Sequence, residues 1–598
     1  MCFHNQVGIF MNAIFLVDNQ NVLDLRYHQS ETFRIMNIAG IEGNKKWRVF
    51  MKRLGKTVLA LFVLLLLMTG CSKNDGRSQQ SASQPVAATS DDTGTFTENG
   101  KEFYQEGVKI AVEPITISGF GSKYSGNAEW DENMLVWKEL ADRTNMHIDW
   151  ETVVNSEART KALTLFAADD LPDIFMKNAL NMSDVTKFAQ SGQLVDLKQF
   201  MDAGLMPNFT KAYEEDVNLQ IALTQSDGKI YTLPAYYPDD IDRTRRFMYI
   251  NETWLKNVGK EKPTTLEEFL DVLRAFRDQD ANGNGDPNDE YPVSFGDAIA
   301  QTDKTVRSLA GIDDVFGQPM NIIDNELVQM YTSDNMKEAF RFLNTLYSEK
   351  LVEQDLFTRK APEFFARLAN DQYGVTLLLP PADSSQFGIL EPSFGLFGKD
   401  EVIWNWKVSP LLGVACFSIT KENKYPQATA RWIDYLYGDE GATLVRMGVE
   451  GDTYEVNGDG SLSYTDKVKN DEQGVEFAMA KYSFWLGPNA CPGMYTSKQT
   501  LPLFEGTLTP DCIEIFAPYS SEHAYSLPIL PPALEKERAQ LIGEINKYYG
   551  EARAQFMTGK LNVDKDWNSY VATLEKMNLG RLEEIYREAY EIVKSRID

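Results

Sequence analysis

Residues 278–290, DQDANGNGDPNDE, set oxygen-bearing side chains at alternate positions around two glycines. Alternation points successive Asp and Asn oxygens to one side, and glycine permits a sharp backbone reversal. An EF-hand-like loop holds Ca²⁺ in this way. Two registers fit. One starts at Asp278 and runs through Asp280, Asn282, Gly283 and Asp286 to Asp289. The other starts at Asp280, continues through Asn282, Asn284 and Gly285, and takes a carbonyl from Asp286. It closes on Asn288, Asp289 or Glu290. The competing reading is a solvated Asp/Asn/Gly turn.

Little else has the spacing of reactive chemistry. The 4 His are scattered, which argues against His-based metal sites or triads. Cys416, Cys491 and Cys512 show no CxxC spacing, so they read as buried thiols or a single bridge rather than a zinc site. With 87 Asp and Glu, a carboxylate pair at glycosidase spacing stays open, although no segment presents a recognisable catalytic constellation. There is no GxxxxGK[ST] phosphate loop.

A helix over 264–277, capped by Thr264 or Thr265, must position the oxygen-rich loop. Upstream, 108–118 is β-rich, and 131–144 carries Met134, Trp137, Leu140 and Ala141 at helical spacing. Residues 146–154 alternate like a strand, Ser156 opens a helix, and 173–176 is a third strand. That order predicts βαβ units and a parallel sheet covered by helices. A turn and a strand ending at Pro234 follow, then a strand over 246–251. Later come a strand at 410–420 and a helix at 425–437. From 534 onward the chain reads as helices broken near Gly559 and Gly580. Trp137 and Trp432, each alone on a helix, read as core.

Near the start, residues 52–71 read KRLGKTVLALFVLLLLMTGC: a basic stretch, a short apolar run and small residues before a cysteine. The apolar run falls short of the ~18–20 residues that span hydrocarbon, so it reads as a secretory signal. It resembles the bacterial lipoprotein box, although Met68 stands where Leu is usual. The resemblance implies diacylation of Cys71 and a location on the extracellular face of the cell membrane. Residues 1–50 fit no targeting pattern and are read as outside the true protein; 51–70 is the signal. Residues 71–104, polar and Ser/Gln/Asp/Gly-rich at first, are assigned to a flexible tether. A net charge of −28 excludes nucleic acid as a partner, since phosphate binding needs a basic surface.

Four segments then coincide. DGKIYTLP at 227–234 with INETWLKNVGKEKPTTLEEF at 250–269, ITKENKYPQATARWIDYLYGDEG at 419–441, and the helical 556–591 occur in order behind the lipoprotein signal. Together they resemble the solute-binding lipoproteins of ABC importers, of the sugar and oligosaccharide type that includes alginate- and maltose-binding proteins. The resemblance implies an α/β, two-lobed, type II fold. Each lobe would be a mostly parallel sheet flanked by helices, joined by a hinge, with extra C-terminal helices. One lobe would hold 105–240 with 406–452, and the other 241–405 with 453–598. A monomer would bind an oligosaccharide in the cleft and deliver it to permease subunits without turnover. The Asp280 register is the one resembling a structural calcium loop of the alginate-binding type.

Sugars present apolar C–H faces and hydroxyls, which ring stacking and Asp, Asn or Arg hydrogen bonds recognise. Open α/β sheets bind ligands beyond their strand carboxyl ends. The candidates are Tyr236 and Tyr237 at the expected hinge, Trp404 and Trp406 of IWNW, and Trp485, with Trp130, Lys123 and Arg246 as weaker choices. Core packing is the competing role for each ring. A surface polysaccharide-active enzyme or a ligand-reading sensor are the alternative functions.

Overall fold

The computed structural model describes residues 94–597 apart from 124–127, 178, 245, 287, 297, 314–319, 324–325, 379–385, 405, 407–408, 473, 486–490 and 521–527. The expected signal, Cys71 and most of the expected tether lie outside the described residues.

The chain enters through an antiparallel hairpin of β1 (Thr95–Glu98) and β2 (Lys101–Tyr104). This shortens the tether assigned to 71–104. Asn99 and Gly100 both take positive φ, 47° and 76°, as a two-residue hairpin turn demands. Phe96 stacks on Phe103, and the Glu98 carboxylate accepts the Gln427 and Ala428 N–H groups, fixing the hairpin to a helix start.

β3 (Ile115–Lys123), β4 (Met146–Val154) and β5 (Ile174–Met176) are mutually parallel around β3, joined by helices Leu135–Thr144 and Asn155–Ala168. The βαβ expectation holds, but the first strand starts at Ile115 rather than 108, just after Pro114. β6 (Leu233–Tyr236) does not stop at Pro234 but runs through it, a proline near a strand start being tolerated.

β7 (Phe247–Asn251) opens a second sheet. Helix Leu266–Asp278 follows, with Thr265 and Glu268 forming a reciprocal capping box. Next come β8 (Tyr291–Ser294), a ribbon of β9 (Met320–Ile323) and β10 (Glu326–Gln329), β11 (Tyr373–Leu378) and β12 (Phe387–Ile389). The order is β12-β7-β11-β8, with β8 parallel to β11 and β7 antiparallel to both of its neighbours.

β13 (Leu411–Ile419) returns to the first sheet between β5 and β6, antiparallel to both. After helix Pro426–Tyr435 and the ribbon of β14 (Tyr454–Val456) and β15 (Leu462–Tyr464), β16 (Gly493–Met494) pairs parallel with β6. The first sheet reads β16-β6-β13-β5-β3-β4. Phe484, Trp485 and Tyr495 lie in the same core as β6. The expected return to the second half at 453 is therefore corrected: β16 still belongs to the first sheet.

Helices Pro532–Met557, Val563–Lys576 and Leu579–Ile597 close the chain. Phe556, Trp567 and Tyr570 join the core of the second sheet. Gly559 marks one break, as expected. The second falls at Asn578, with φ 64°, and Gly580 lies inside the last helix. No described helix is long and apolar enough to cross a membrane. Cys416, Cys491 and Cys512 are buried and form no disulfide.

One buried charge network stiffens the second sheet. Glu353 lies 2.6 Å from Arg359 and 2.5 Å from Arg367, and Arg359 donates to the Gly296 carbonyl just past β8. Removing one member strands a buried charge, whereas the exposed Lys198–Asp202 pair is worth little. Glu353→Gln is expected to lower unfolding stability by about 3–5 kcal/mol, and Asp202→Asn by under ~1 kcal/mol. Equal losses in denaturant titrations would contradict this.

Candidate functional site

Strand direction locates the site. β3, β4, β5, β6 and β16 point the same way, so Lys123, Met176, Tyr236 and Met494 end on one edge, where β13 begins at Leu411 opposite Tyr236. In the second sheet, Leu378 at the end of β11 pairs with Phe247 at the start of β7. Residues 237–246 therefore lead from the carboxyl edge of one sheet to the carboxyl edge of the other, and the segment before Leu411 returns. The Tyr237 N–H donates to the Pro410 carbonyl at 2.8 Å, so the two crossings run side by side. Ligands of open α/β sheets bind beyond such edges.

On the first sheet's edge, Lys177 follows β5 with φ 59° and is buried. Its ammonium donates to the Phe484 carbonyl at 2.7 Å and lies 5.7 Å from the Trp130 ring; burial pushes its pKa down. Trp485 is buried under the Arg446 guanidinium, 3.8 Å from its ring. Tyr237 and Tyr495, each just past a strand end, place their rings 5.2 Å apart in the interior. The Tyr236 hydroxyl donates to Asp216 at 3.0 Å, and burial raises its pKa. Lys123 pairs with Glu129.

On the second edge, the Trp404 indole N–H donates to the Arg246 carbonyl at 3.0 Å, and its ring packs on Phe516 inside the core. Trp406 stays 9% exposed and faces two cations: the Arg246 guanidinium at 5.6 Å and the Lys304 ammonium at 5.0 Å. Burial, reinforced by repulsion from Arg307, lowers the Lys304 pKa to about 8, with Asp313 opposing. The Trp406 indole N–H is buried without a partner among the described residues.

Of the sequence candidates, Trp404, Trp406 and Arg246 thus form one cluster. Tyr236, Tyr237 and Trp485 lie at the other edge, and Trp130 reaches it through Lys177. Lys177, Lys304, Arg446 and Tyr495 were not anticipated. Lys177 had a signal, as the first residue beyond the DIFM strand. Tyr495 follows a strand of two residues, too short to read. A cavity of about 790 Å³ adjoins the start of β13, bounded by Met182, Leu411 and Val414 on one side and by Leu530, Arg538 and Tyr586 on the other. Rings, cations and aliphatic walls suit a polyhydroxylated ligand. The thiols are poor nucleophiles, burial holding Cys416 far above and Cys512 at about 11.

The 278–290 loop favours one register. Asp278 is engaged by Arg277 at 2.7 Å. Asp280 accepts the Gly285 N–H through Oδ2 at 2.9 Å, Gly285 having φ 93°. Asp289 instead accepts the Asn282 and Asn284 side-chain amides, at 3.1 and 2.9 Å. Among the described residues, no group of three or more His, Cys, Asp or Glu is placed to hold a metal. Yet Asp280 Oδ1 is buried without a hydrogen-bond partner, and burial raises the pKa of Glu290, whose carboxylate is faced by the backbone N–H groups of Ala281, Asn282 and Glu290 itself. An orphaned carboxylate oxygen fits a hard divalent cation.

The family model for bacterial extracellular solute-binding proteins matches residues 136–448. The fructooligosaccharide ABC transporter substrate-binding protein FusA of Streptococcus pneumoniae is 25% identical over 516 residues, 83% of this chain and 94% of FusA. The polygalacturonan/rhamnogalacturonan-binding protein YtcQ of Bacillus subtilis is 22% identical over 471 residues, 76% and 88% of the two chains. FusA in complex with kestose superposes at a TM-score of 0.62 and 21% identity over 80% of this chain and all of that one. Its EF-hand mutant in complex with fructo-nystose matches equally. An HMO-binding solute-binding protein of Bifidobacterium longum infantis gives 0.67 at 21% identity, over 80% and 99%. The shared fold is the type II solute-binding fold expected from the sequence.

Lys304 gives the site a pH signature. At pH 7 its charge is buried at a cost, and between about pH 8 and the ordinary lysine range the folded state loses the proton before the unfolded state does. Parent stability should therefore gain on Lys304→Met as pH rises from 8 to 10, by about 1.4 kcal/mol per pH unit at most. A pH-independent difference between the two proteins in denaturant titrations would refute the assignment.

Proposed function

Because the chain belongs to the family of bacterial extracellular solute-binding proteins, we propose that it is the substrate-binding component of an ABC importer for oligosaccharides. The observation that carries this reading is the meeting of two carboxyl edges at paired crossing segments, with Arg246 and Lys304 respectively 5.6 and 5.0 Å from the Trp406 ring. The relative FusA, a fructooligosaccharide ABC transporter substrate-binding protein matched over 94% of its length, supports the ligand class.

In this reading Trp406 offers a face to the C–H side of a sugar ring while Arg246 and Lys304 donate to its hydroxyls. Tyr236, Tyr237, Trp404 and Trp485, nearly or fully buried, shape the wall behind. Trp130 contributes through Lys177. Residues 94–240 and 406 to about 500 form one lobe, and 241–405 with the residues from about 501 onward the other. The crossings flex as the hinge, so closure traps the sugar unaltered. The protein is a monomer, tethered by a diacylated Cys71 beyond a cleaved signal, and docks on the permease subunits of the transporter.

Calcium has a structural place here. Asp280, Asn282, Asn284, the Asp286 carbonyl and Glu290 form the ligand set, and Asp289 orients the two asparagines. Bound calcium would supply charge neutralisation for the two carboxylates. That an EF-hand mutant of FusA was obtained in complex with fructo-nystose agrees with a role apart from sugar contact.

Two outcomes test the reading. In calorimetry with fructo- and pectic oligosaccharides, a cognate ligand at about 100 times its Kd should add ~2.7 kcal/mol of stability and be recovered intact. Trp406→Ala should weaken binding about tenfold or more; released reducing ends would overturn the transport reading. Chelator should lower the melting temperature of the parent but not of Glu290→Gln. Identical melting of the parent with calcium and with chelator would remove the calcium site.

A further inference from the structure

Helix Val217–Leu223 carries two apolar faces within 7 residues. Leu219, Ala222 and Leu223 belong to the core of the first sheet. Val217 and Ile221 form the other face, since residues four apart lie one above the other on a helix. Ile221 is fully buried, yet it belongs to neither large core. It packs on Tyr590 of the last helix, itself 7% exposed, and Val217 and Leu327 of β10 lie against the pair.

Tyr590 comes from the opposite half. On helix Leu579–Ile597, Leu582 and Tyr586 belong to the core of the second sheet. Their stripe continues at the same spacing to Tyr590, which leaves that core and meets the helix of the first half. Ala222 and Ala589, chain neighbours of the two contact residues, line the cavity of about 790 Å³. The contact therefore lies at the margin of that cavity, and its two sides belong to the two halves that the crossing segments join.

Opening the cavity by rotation about the crossings must part Ile221 from Tyr590 or slide one past the other. Either exposes apolar surface to water. Neither core can take that surface back, because Leu219 and Tyr586 fix their helices to opposite cores. The contact contains no ligand atom, so it favours the closed arrangement before a ligand arrives. A ligand that binds the closed form alone has an apparent Kd equal to its intrinsic Kd divided by the closed fraction. We propose that the contact between Ile221 and Tyr590 is an apolar latch that sets the closed fraction of the unliganded protein. Through that fraction it sets affinity and residence time without touching the ligand. The proposal rests on the two-lobed reading of the crossing segments, but not on the ligand being a sugar.

X-ray scattering from the unliganded protein tests it. Ile221→Ala and Tyr590→Ala should each lower the closed-to-open ratio about tenfold or more, seen as a larger radius of gyration. Ile221→Leu, which keeps the apolar volume, should scatter like the parent. The double alanine variant should expand no further than either single one, because the two residues make one contact. Leu219→Ala, in the core of one half, should lower the melting temperature without expanding the particle. Should Ile221→Ala fail to fold, Tyr590→Ala, close to the chain end, carries the test. Scattering unchanged in the folded alanine variants, or equal expansion in Leu219→Ala, overturns the latch even where the parent binds kestose or pectic oligosaccharides. Expansion confined to the Ile221→Ala and Tyr590→Ala proteins upholds it even where the parent binds none of these sugars, an outcome that would remove the oligosaccharide reading alone.

Discussion

One backbone hydrogen bond, from Tyr237 N–H to the Pro410 carbonyl, marks where the two halves of the fold part company. On one side of it the β6–β13 ladder continues as ordinary sheet. On the other the two strands leave for a different sheet, and no further ladder joins them among the described residues. A pair of chains tied by one backbone bond here and again by the Trp404 indole on the Arg246 carbonyl makes a short hinge, because only a few residues must absorb a change in φ and ψ. The rest follows from direction. Since β13 runs against its neighbours, its start lies beside the end of β6, and both crossings necessarily emerge from a carboxyl edge.

The site's electrostatics follow from that placement. The chain is acidic overall, with net charge −28, yet Lys177, Arg246, Lys304 and Arg446 gather at strand ends against aromatic rings. Rings lower the cost of a desolvated cation without neutralising it, which a carboxylate would do. A cation held this way keeps hydrogens to give to neutral hydroxyls. The acids near these edges, Asp216 under the Tyr236 hydroxyl and Asp313 near Lys304, engage the protein's own groups.

Much of this was legible in the sequence where the signal is local. Thr265 with Glu268, the alternation in 146–154 and the odd thiols each declare their state through their immediate neighbours. What failed was long-range. Asn99-Gly100 is a hairpin signal in a segment whose composition otherwise reads as tether. β16 is two residues long and gains its place only by pairing with β6, some 260 residues earlier in the chain. Arg446 sits inside helix Asp439–Met447, and nothing in its neighbours tells that Trp485 will lie beneath it. Gly119 and Gly121 fell beyond the β-rich stretch read at 108–118, though they make room for rings from elsewhere.

The oxygen-rich loop shows why a metal can matter to recognition without touching a ligand. Its last residue, Glu290, runs directly into Tyr291, the start of β8, and Gln372, just before β11, donates to Asp289. Asn257 meanwhile donates to the Ala281 carbonyl at 2.8 Å. The loop therefore gathers the amino ends of the two parallel strands whose carboxyl ends border the site. Fixing strands at one end sets the register at the other, because a parallel pair slides only as a unit. At that amino edge the half-buried Glu290 carboxylate stands beside the like charge of Asp289, which would loosen it. A divalent cation bound there would convert the same residues into a clamp, at the opposite end of the sheet from the crossing segments.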